Sequence, residues 1–359
     1  NETGPLESGY RRTWIGNPDL KWETTTQTDI AVDFGFLNQR LTGSLGYYYK
    51  KTKDILVQTP YIAVMGEGGE PWINGASMNN RGVEFEVSFR SNPSAAFQYT
   101  ISANIGTYKT ELTDLPKNVI NKYPGDGVRD FVLGKSPNVI YGLVADGIFK
   151  TQEEVDNHAE QPGKAVGRIR YKDLDGDGVI NELNDKTFIG NTDPDFFGGI
   201  TFDFKYCNFD LNLFFQGVFG NQVNNIWKQE SDFWSISGSV PAGKNHSTRL
   251  LDAWSFDNPN SNIPAISNST VNNEQRMSTY YIEDGSYLKL RNIELGYTFP
   301  SKIASKMMMK NLRVYASARN VFTLKKFWGD DQFTSFDPEM PDYGYLTPFT
   351  MAFGLNVTF

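Results

Sequence analysis

Cysteine and histidine are scarce in this chain of 359 residues. One cysteine, Cys207, rules out an intramolecular disulfide and a cysteine-built zinc cluster. Two histidines, His158 and His246, lie in polar stretches with no serine or cysteine nucleophile at a diagnostic spacing. We therefore expect no enzyme, and both imidazoles in solvent. Basic residues are in deficit, with 34 Lys and Arg against 42 Asp and Glu and a net charge of −8. That balance argues against nucleic acid, which wants a basic face. No apolar run approaches the roughly 18–20 residues of a membrane-crossing helix. The opening residues 1–5 carry neither the basic nor the apolar region of an export signal, so none is expected on this chain. Against these shortages stand 26 Phe, 18 Tyr, 7 Trp and 33 Gly, far too many rings for a disordered chain. Mean hydropathy is nevertheless only −0.45.

Periodicity accounts for the aromatics. From Phe349 to Phe359 the odd positions (Phe349, Met351, Phe353, Leu355, Val357, Phe359) are apolar, and the even ones are small or polar. A period of two puts the two sets on opposite faces of a β-strand. The same alternation recurs at Ile30–Phe36, Leu41–Tyr49, Val83–Phe89, Tyr99–Ile105, Ile200–Tyr206, Phe209–Phe215, Ile293–Phe299 and Leu312–Ala318. Nine strands of about ten residues follow. Soluble sandwiches use strands of about 5–6 residues, whereas outer-membrane barrels need roughly 9–11, apolar outside and polar inside. Rings gather near strand ends (Tyr47, Tyr49, Phe89, Phe97, Tyr206, Phe209, Tyr297, Phe299), as interfacial girdles require. The fold class read here is all-β, a transmembrane antiparallel β-barrel facing lipid.

Connections alternate between short and long. Short ones fall near 37–40, 91–94, 206–208 and 300–310; long ones span about 55–79, 110–193, 221–283 and 325–346. Transmembrane barrels have short periplasmic turns and long extracellular loops. With that sidedness the first and last strands both run inward, giving an odd count, although bacterial single-chain barrels normally have an even one. Nine strands also leave two open hydrogen-bonding edges, which cannot face lipid. Residues 1–359 are therefore expected to be the C-terminal portion of a larger barrel.

Several stretches carry a family resemblance. Asn17-Pro-Asp-Leu-Lys-Trp-Glu-Thr24, Gly190-Asn-Thr-Asp-Pro-Asp-Phe-Phe-Gly-Gly199 and Asn208-Phe-Asp-Leu-Asn-Leu-Phe-Phe-Gln-Gly217 resemble signatures of the SusC/RagA family. So do Tyr287-Leu-Lys-Leu-Arg-Asn-Ile-Glu-Leu-Gly-Tyr297 and Ala318-Arg-Asn-Val-Phe-Thr323. The resemblance implies a TonB-dependent transporter of the bacterial outer membrane, of the kind found in Bacteroidetes, with a plugged barrel of about 22 strands. It implies import of oligosaccharides (glycan breakdown products) or peptides. The implied partners are a SusD-like surface lipoprotein, TonB acting through a plug segment outside this chain, the remaining N-terminal barrel and plug portion, and the lipid bilayer. Phe359 would then close the barrel, its aromatic end being read by the insertion machinery.

One motif carries chemistry of its own: Asp173-Leu-Asp-Gly-Asp-Gly-Val-Ile-Asn-Glu-Leu-Asn-Asp185. Asp173, Asp175 and Asp177 occupy positions 1, 3 and 5 of an EF-hand-type loop. Gly178 takes the sharp turn, Val179 offers its carbonyl, and Ile180 packs inward. Clustered carboxylates repel unless a hard cation neutralises them, which points to Ca²⁺. The closing position is irregular: a one-residue insertion lets Asp185 complete the shell, or Asn184 supplies an amide oxygen. The flanks are not amphipathic helices, so the site reads as a stapled loop instead of a sensor; the competing reading is a solvated acidic turn.

Loop aromatics Trp227, Trp234, Trp254, Phe327 and Trp328 are candidates for substrate contact, or for packing of the loops against one another. Inward-facing Glu84, Glu86, Asp203, Asp210, Asn212 and Gln216 are expected to line a polar lumen. The alternative function is a secreted, calcium-stapled β-sandwich carbohydrate-binding module, which accounts for the aspartate loop and the tryptophans but not for the one-sided long loops.

Overall fold

A computed structural model of the chain describes residues 16–59, 71–117, 119, 132–233, 246–267, 271–325, 333–342 and 345–359. Nine long strands form one sheet: β1 (Thr24–Phe36), β2 (Leu41–Gln58), β3 (Trp72–Arg90), β4 (Phe97–Asp114), β5 (Phe196–Tyr206), β6 (Phe209–Phe219), β7 (Tyr287–Thr298), β8 (Asn311–Leu324) and β9 (Thr350–Thr358). Their order in the sheet is their order in the chain. Every strand the alternation pointed to is present. Each neighbour is reached by a simple return, and a meander of this kind is what local turns plus one apolar face produce. β1 and β9 are the outer strands, with no further strand beside them among the described residues.

The β-sandwich alternative fails here. Besides the nine-stranded sheet, only three two-stranded ribbons are found among the described residues, so no second large sheet covers the apolar face. That face is bare: Ile30, Val32, Leu45, Ile105, Phe209, Met351 and Leu355 are exposed, and Phe353 is 79% exposed. Large apolar residues left open in rows along consecutive strands are expensive in water and ordinary in lipid.

Several strands outrun the roughly 9–11 residues a bilayer needs. β2, β3 and β4 have 18, 19 and 18 residues. The excess was hidden because alternation fades where both faces are polar, as in Lys50-Lys-Thr-Lys-Asp54. The connections now run 59–71, 115–195, 220–286 and 325–349 on the long side. On the short side they are 37–40, 91–96, 207–208 and 299–310, the last holding a short helix, Ser301–Lys306.

The contacts divide the chain into two compact units. One comprises Asn1–Thr28, Tyr48–Arg81 and Lys109–Pro137. Within it Asn74 ties the 17–24 signature to β3, accepting from the Lys21 amide at 2.7 Å and donating to the Lys21 carbonyl at 2.8 Å. Asn17 donates to the Trp72 carbonyl at 3.0 Å. Val57, Ala76, Leu112, Leu115, Val119 and Val132 are buried.

The other unit comprises Asp29–Tyr47, Gly82–Tyr108 and Asn138–Phe359. Its apolar core consists of Leu143, Ile148, Ile169, Tyr171, Ile180, Phe233, Trp254 and Tyr281. None of these lies in the nine-stranded sheet. This cluster belongs to the loops, while on the sheet itself Tyr287, Leu290 and Leu312 are buried.

Candidate functional site

The polar face of β5–β8 carries several side-chain hydrogen bonds that cross from strand to strand. Asn212 donates to Asp203 at 2.7 Å, and Asn292 donates to Asn212 at 3.1 Å. Arg313 forks onto two neighbours, reaching Asp210 at 3.0 Å through Nε and Glu294 at 2.8 Å. A planar guanidinium suits this bidentate role. Gln216 accepts from Arg291 at 2.8 Å. Glu84 and Glu86 with Ser44, Asn104, Tyr108 and Gln216 line a hollow of about 730 Å³. The expected inward-facing set thus shares one polar surface.

Past the strand ends, the long loops are knitted together by buried charges. Glu274 is fully buried; it is hydrogen-bonded by Arg168 and accepts from the Ile169 amide at 2.7 Å. Burial pushes its carboxyl above the usual range, against the pull of Arg168. Gln161 bridges the Ile169 carbonyl at 2.7 Å and Asn272 at 3.1 Å. Burial likewise raises the Asp232 carboxyl and lowers the Lys228 ammonium. Asp232 accepts from Arg249 and from the Tyr280 hydroxyl, both at 2.8 Å, and Lys228 sits 3.2 Å from Glu283. Lys228, Tyr280, Glu283, Asp195 and the stacked rings of Phe196 and Phe219, 4.8 Å apart, border a cavity of about 640 Å³.

The aspartate loop brings three of its carboxylates together. The carboxylates of Asp173, Asp175 and Asp177 each offer an oxygen within 4.8 Å of the others. Gly176 and Gly178 take φ of +78° and +84°, which side-chain-bearing residues adopt only with strain. Asp173 accepts from the Gly176 and Gly178 amides at 2.6 and 2.9 Å, and these bonds hold its carboxyl below the usual range. Ile180 is buried in the loop core. The Val179 carbonyl accepts from Asn181 Nδ2 at 3.5 Å. Asp185 stands outside the carboxylate group: it is fully buried and accepts from the Leu174 and Asn181 amides, both at 2.7 Å. It braces the loop from inside.

The tryptophans divide. Trp227 donates to the Met340 carbonyl at 3.3 Å and meets the Phe336 ring edge-on at 5.5 Å, so it packs loop on loop. Trp254 is buried in the loop core. Trp234, Phe327 and Trp328 lie outside the described residues. His158, expected in solvent, is half-buried against Phe149, their ring centres 5.0 Å apart, and burial lowers its basicity. Its place in the short helix-bearing segment after Gln152–Asn157 turned it inward. Sequence reading missed Lys289 and Arg291 on β7, which hold Asp337 and Glu339; two bases and two acids, each at a spacing of two, were the available signal.

Residues 3–321 match the family model described as TonB dependent receptor-like, beta-barrel. TonB-dependent receptor P26 of Formosa agariphila is 30% identical over 96% of this chain and 35% of its own length. TonB-dependent receptor SusC of Bacteroides thetaiotaomicron is 27% identical over 96% of this chain and 32% of its own. The chain spans about a third of the length of the curated relatives it matches. Among solved structures, that of the RagAB peptide transporter superposes with a TM-score of 0.71 at 25% identity, over 90% of this chain and 33% of that one.

Proposed function

Because this chain belongs to the TonB-dependent receptor β-barrel family, we propose that it forms part of the wall and docking rim of a SusC/RagA-type importer. Membership places it in the bacterial outer membrane. The observation that carries the proposal is the split sheet: one face bare and apolar, the other polar and crossed by side-chain hydrogen bonds, with every long connection on alternate turns. Such a wall needs no catalytic residue. It offers polar partners to a moving solute, and the loops offer a docking surface.

The proposed cargo is an oligosaccharide or a peptide, with likeness to the RagAB peptide transporter favouring a peptide. The proposed partners are a SusD-like lipoprotein over the loops, the remaining N-terminal barrel and plug portion, and TonB pulling on that plug. Uptake of labelled peptides and labelled oligosaccharides by cells with and without the gene tests this. Uptake that disappears equally on loss of the gene and of TonB supports the reading; uptake of both cargo classes that ignores both losses ends it.

Ca²⁺ is the proposed occupant of the aspartate loop. Asp173, Asp175 and Asp177 supply carboxylate oxygens and Val179 a carbonyl, with Asp185 bracing the turn. Calcium would neutralise three close anions and stiffen a loop of more than eighty residues, whose ordering is otherwise costly in entropy. Calorimetric titration of the chelator-treated protein decides it: saturable binding lost in Asp175→Asn supports the site, and no heat at millimolar calcium rejects it.

A further inference from the structure

The segment 333–342 lies between two supports. On one side, Lys289 of β7 donates to both Asp337 oxygens at 2.8 and 2.7 Å. Lys289, Arg291 and the Tyr287 hydroxyl all donate to Glu339. On the other side, Thr334 gives its amide and its hydroxyl to Glu283 at 2.9 and 2.8 Å, and Ser335 donates to Asn225 at 2.7 Å. The Met340 carbonyl accepts from Trp227. The Pro341 carbonyl accepts from the Ile226 amide at 2.9 Å, which fixes the start of the short helix Ile226–Ser231 to the segment.

Charge, more than apolar contact, holds the segment. Two acids face two bases, and Lys289 is only 2% exposed, so neither side is comfortable without the other. A bulge supplies the second base: against β6, Phe214 and Phe215 pair with Asn292 and Leu290, which leaves Arg291 as an extra residue, while against β8 the extra residue falls on the β8 side, at 320–321. Arg291 reaches Gln216 on the polar face and Glu339 of the segment. Apolar anchoring is thin. Phe333 is buried, but Phe336 is 64% exposed. The side chains of Asp337 and Glu339 keep 15% and 22% exposure, so salt reaches them. Segments held this way open locally, below the free energy of global unfolding.

We propose that residues 333–342 are an ionic strap, latched onto the polar face of β7 by Lys289 and Arg291 and released as a unit while the sheet stays folded. Latched, the strap joins the helix Ile226–Ser231 to the wall. Released, it uncovers two cations on the polar face. Only the naming of that face as a conduit rests on the importer reading; latching and release are properties of the fold.

Hydrogen–deuterium exchange of the full-length protein in detergent tests the proposal. Asp337→Asn combined with Glu339→Gln is expected to speed exchange in 333–342 roughly a hundred-fold, and to speed exchange in 226–231 with it, while β5 and β6 keep wild-type protection. Lys289→Glu should do the same, and adding Asp337→Lys should restore part of the protection. In the wild-type protein, raising salt to about 1 M should speed strap exchange several-fold. Strap exchange that ignores both the substitutions and the salt overturns the proposal. So does strap protection that is lost only together with that of β5 and β6. Uptake does not enter the readout, so failure of the importer reading and failure of the strap are separate results.

Discussion

Cys207 sits in the two-residue turn between β5 and β6 with φ of +53°, in the left-handed region that favours glycine. Nothing about its thiol calls for this position, and it is exposed. Cys207→Gly should therefore stabilise the hairpin by about 1 kcal/mol, read as a higher denaturant midpoint for the detergent-folded protein. His158 makes a second prediction at this scale. Burial against Phe149 lowers its pKa below the ordinary 6.5, and the nearby Arg170 and Lys164 push the same way, against the bond with the Tyr171 backbone. The unfolded segment then binds protons that the folded one refuses. Its contribution to stability is complete above pH 6.5 and shrinks as the pH falls below that value. Protection of the amides in 152–171, taken relative to their intrinsic exchange at each pH, should fall on acidification, and His158→Gln should flatten that dependence. The turn geometry of residues 173–185 was legible because it is local, with glycines where the backbone turns left. The role of Asp185 was not legible, since a carboxylate beside a metal-type loop looks the same whether it faces an ion or two backbone amides.

At the scale of elements, the strands were readable and their irregularities were not. Alternation names the apolar face wherever lipid or core demands one, and it is silent in the outer halves of β2, β3 and β4. The bulge at Arg291 leaves only a phase break, apolar Leu288 and Leu290 giving way to Ile293 and Leu295, which does not say what the extra residue reaches. Asn320 in β8 mirrors it with φ of +53° and donates to the Pro348 carbonyl at 3.0 Å. These two irregularities fall within the Tyr287–Tyr297 and Ala318–Thr323 signatures, which gives those signatures a physical content: they shape the wall where the strap lands. Loop pairing is harder to read, since Arg168 and Glu274 meet across 106 residues of sequence. Breaking that pair strands a buried charge, typically at a cost of about 3–5 kcal/mol. Glu274→Ala should therefore raise protease sensitivity in 160–170 and 271–281, with the sheet still resisting heat on a gel. Equal loss of both would mean the loops and the sheet melt together.

For the whole molecule, the decisive asymmetry is between neighbours on one strand. Met351 lies on the bare face, and Ala352 pairs with Ser317 on the polar one. Met351→Arg should cost about 2–4 kcal/mol on insertion into vesicles if that position meets the bilayer midplane, and Ala352→Arg should cost far less. Equal penalties would contradict a lipid-facing sheet. What was legible at this scale is the nine-strand meander with β1 and β9 outermost among the described residues, because alternation and turn length are local. The loops were not legible at this scale, because no periodicity describes them.

The placement of the apolar core has a consequence for how such a chain can change over generations. Leu143, Ile169, Tyr171, Trp254 and Tyr281 keep the loops ordered without help from the membrane-facing rows. Drift in the rim is therefore judged by packing against its own interior, and drift in the wall is judged by the bilayer. The two answer to different solvents, so a substitution tolerated in one is no guide to what the other will tolerate.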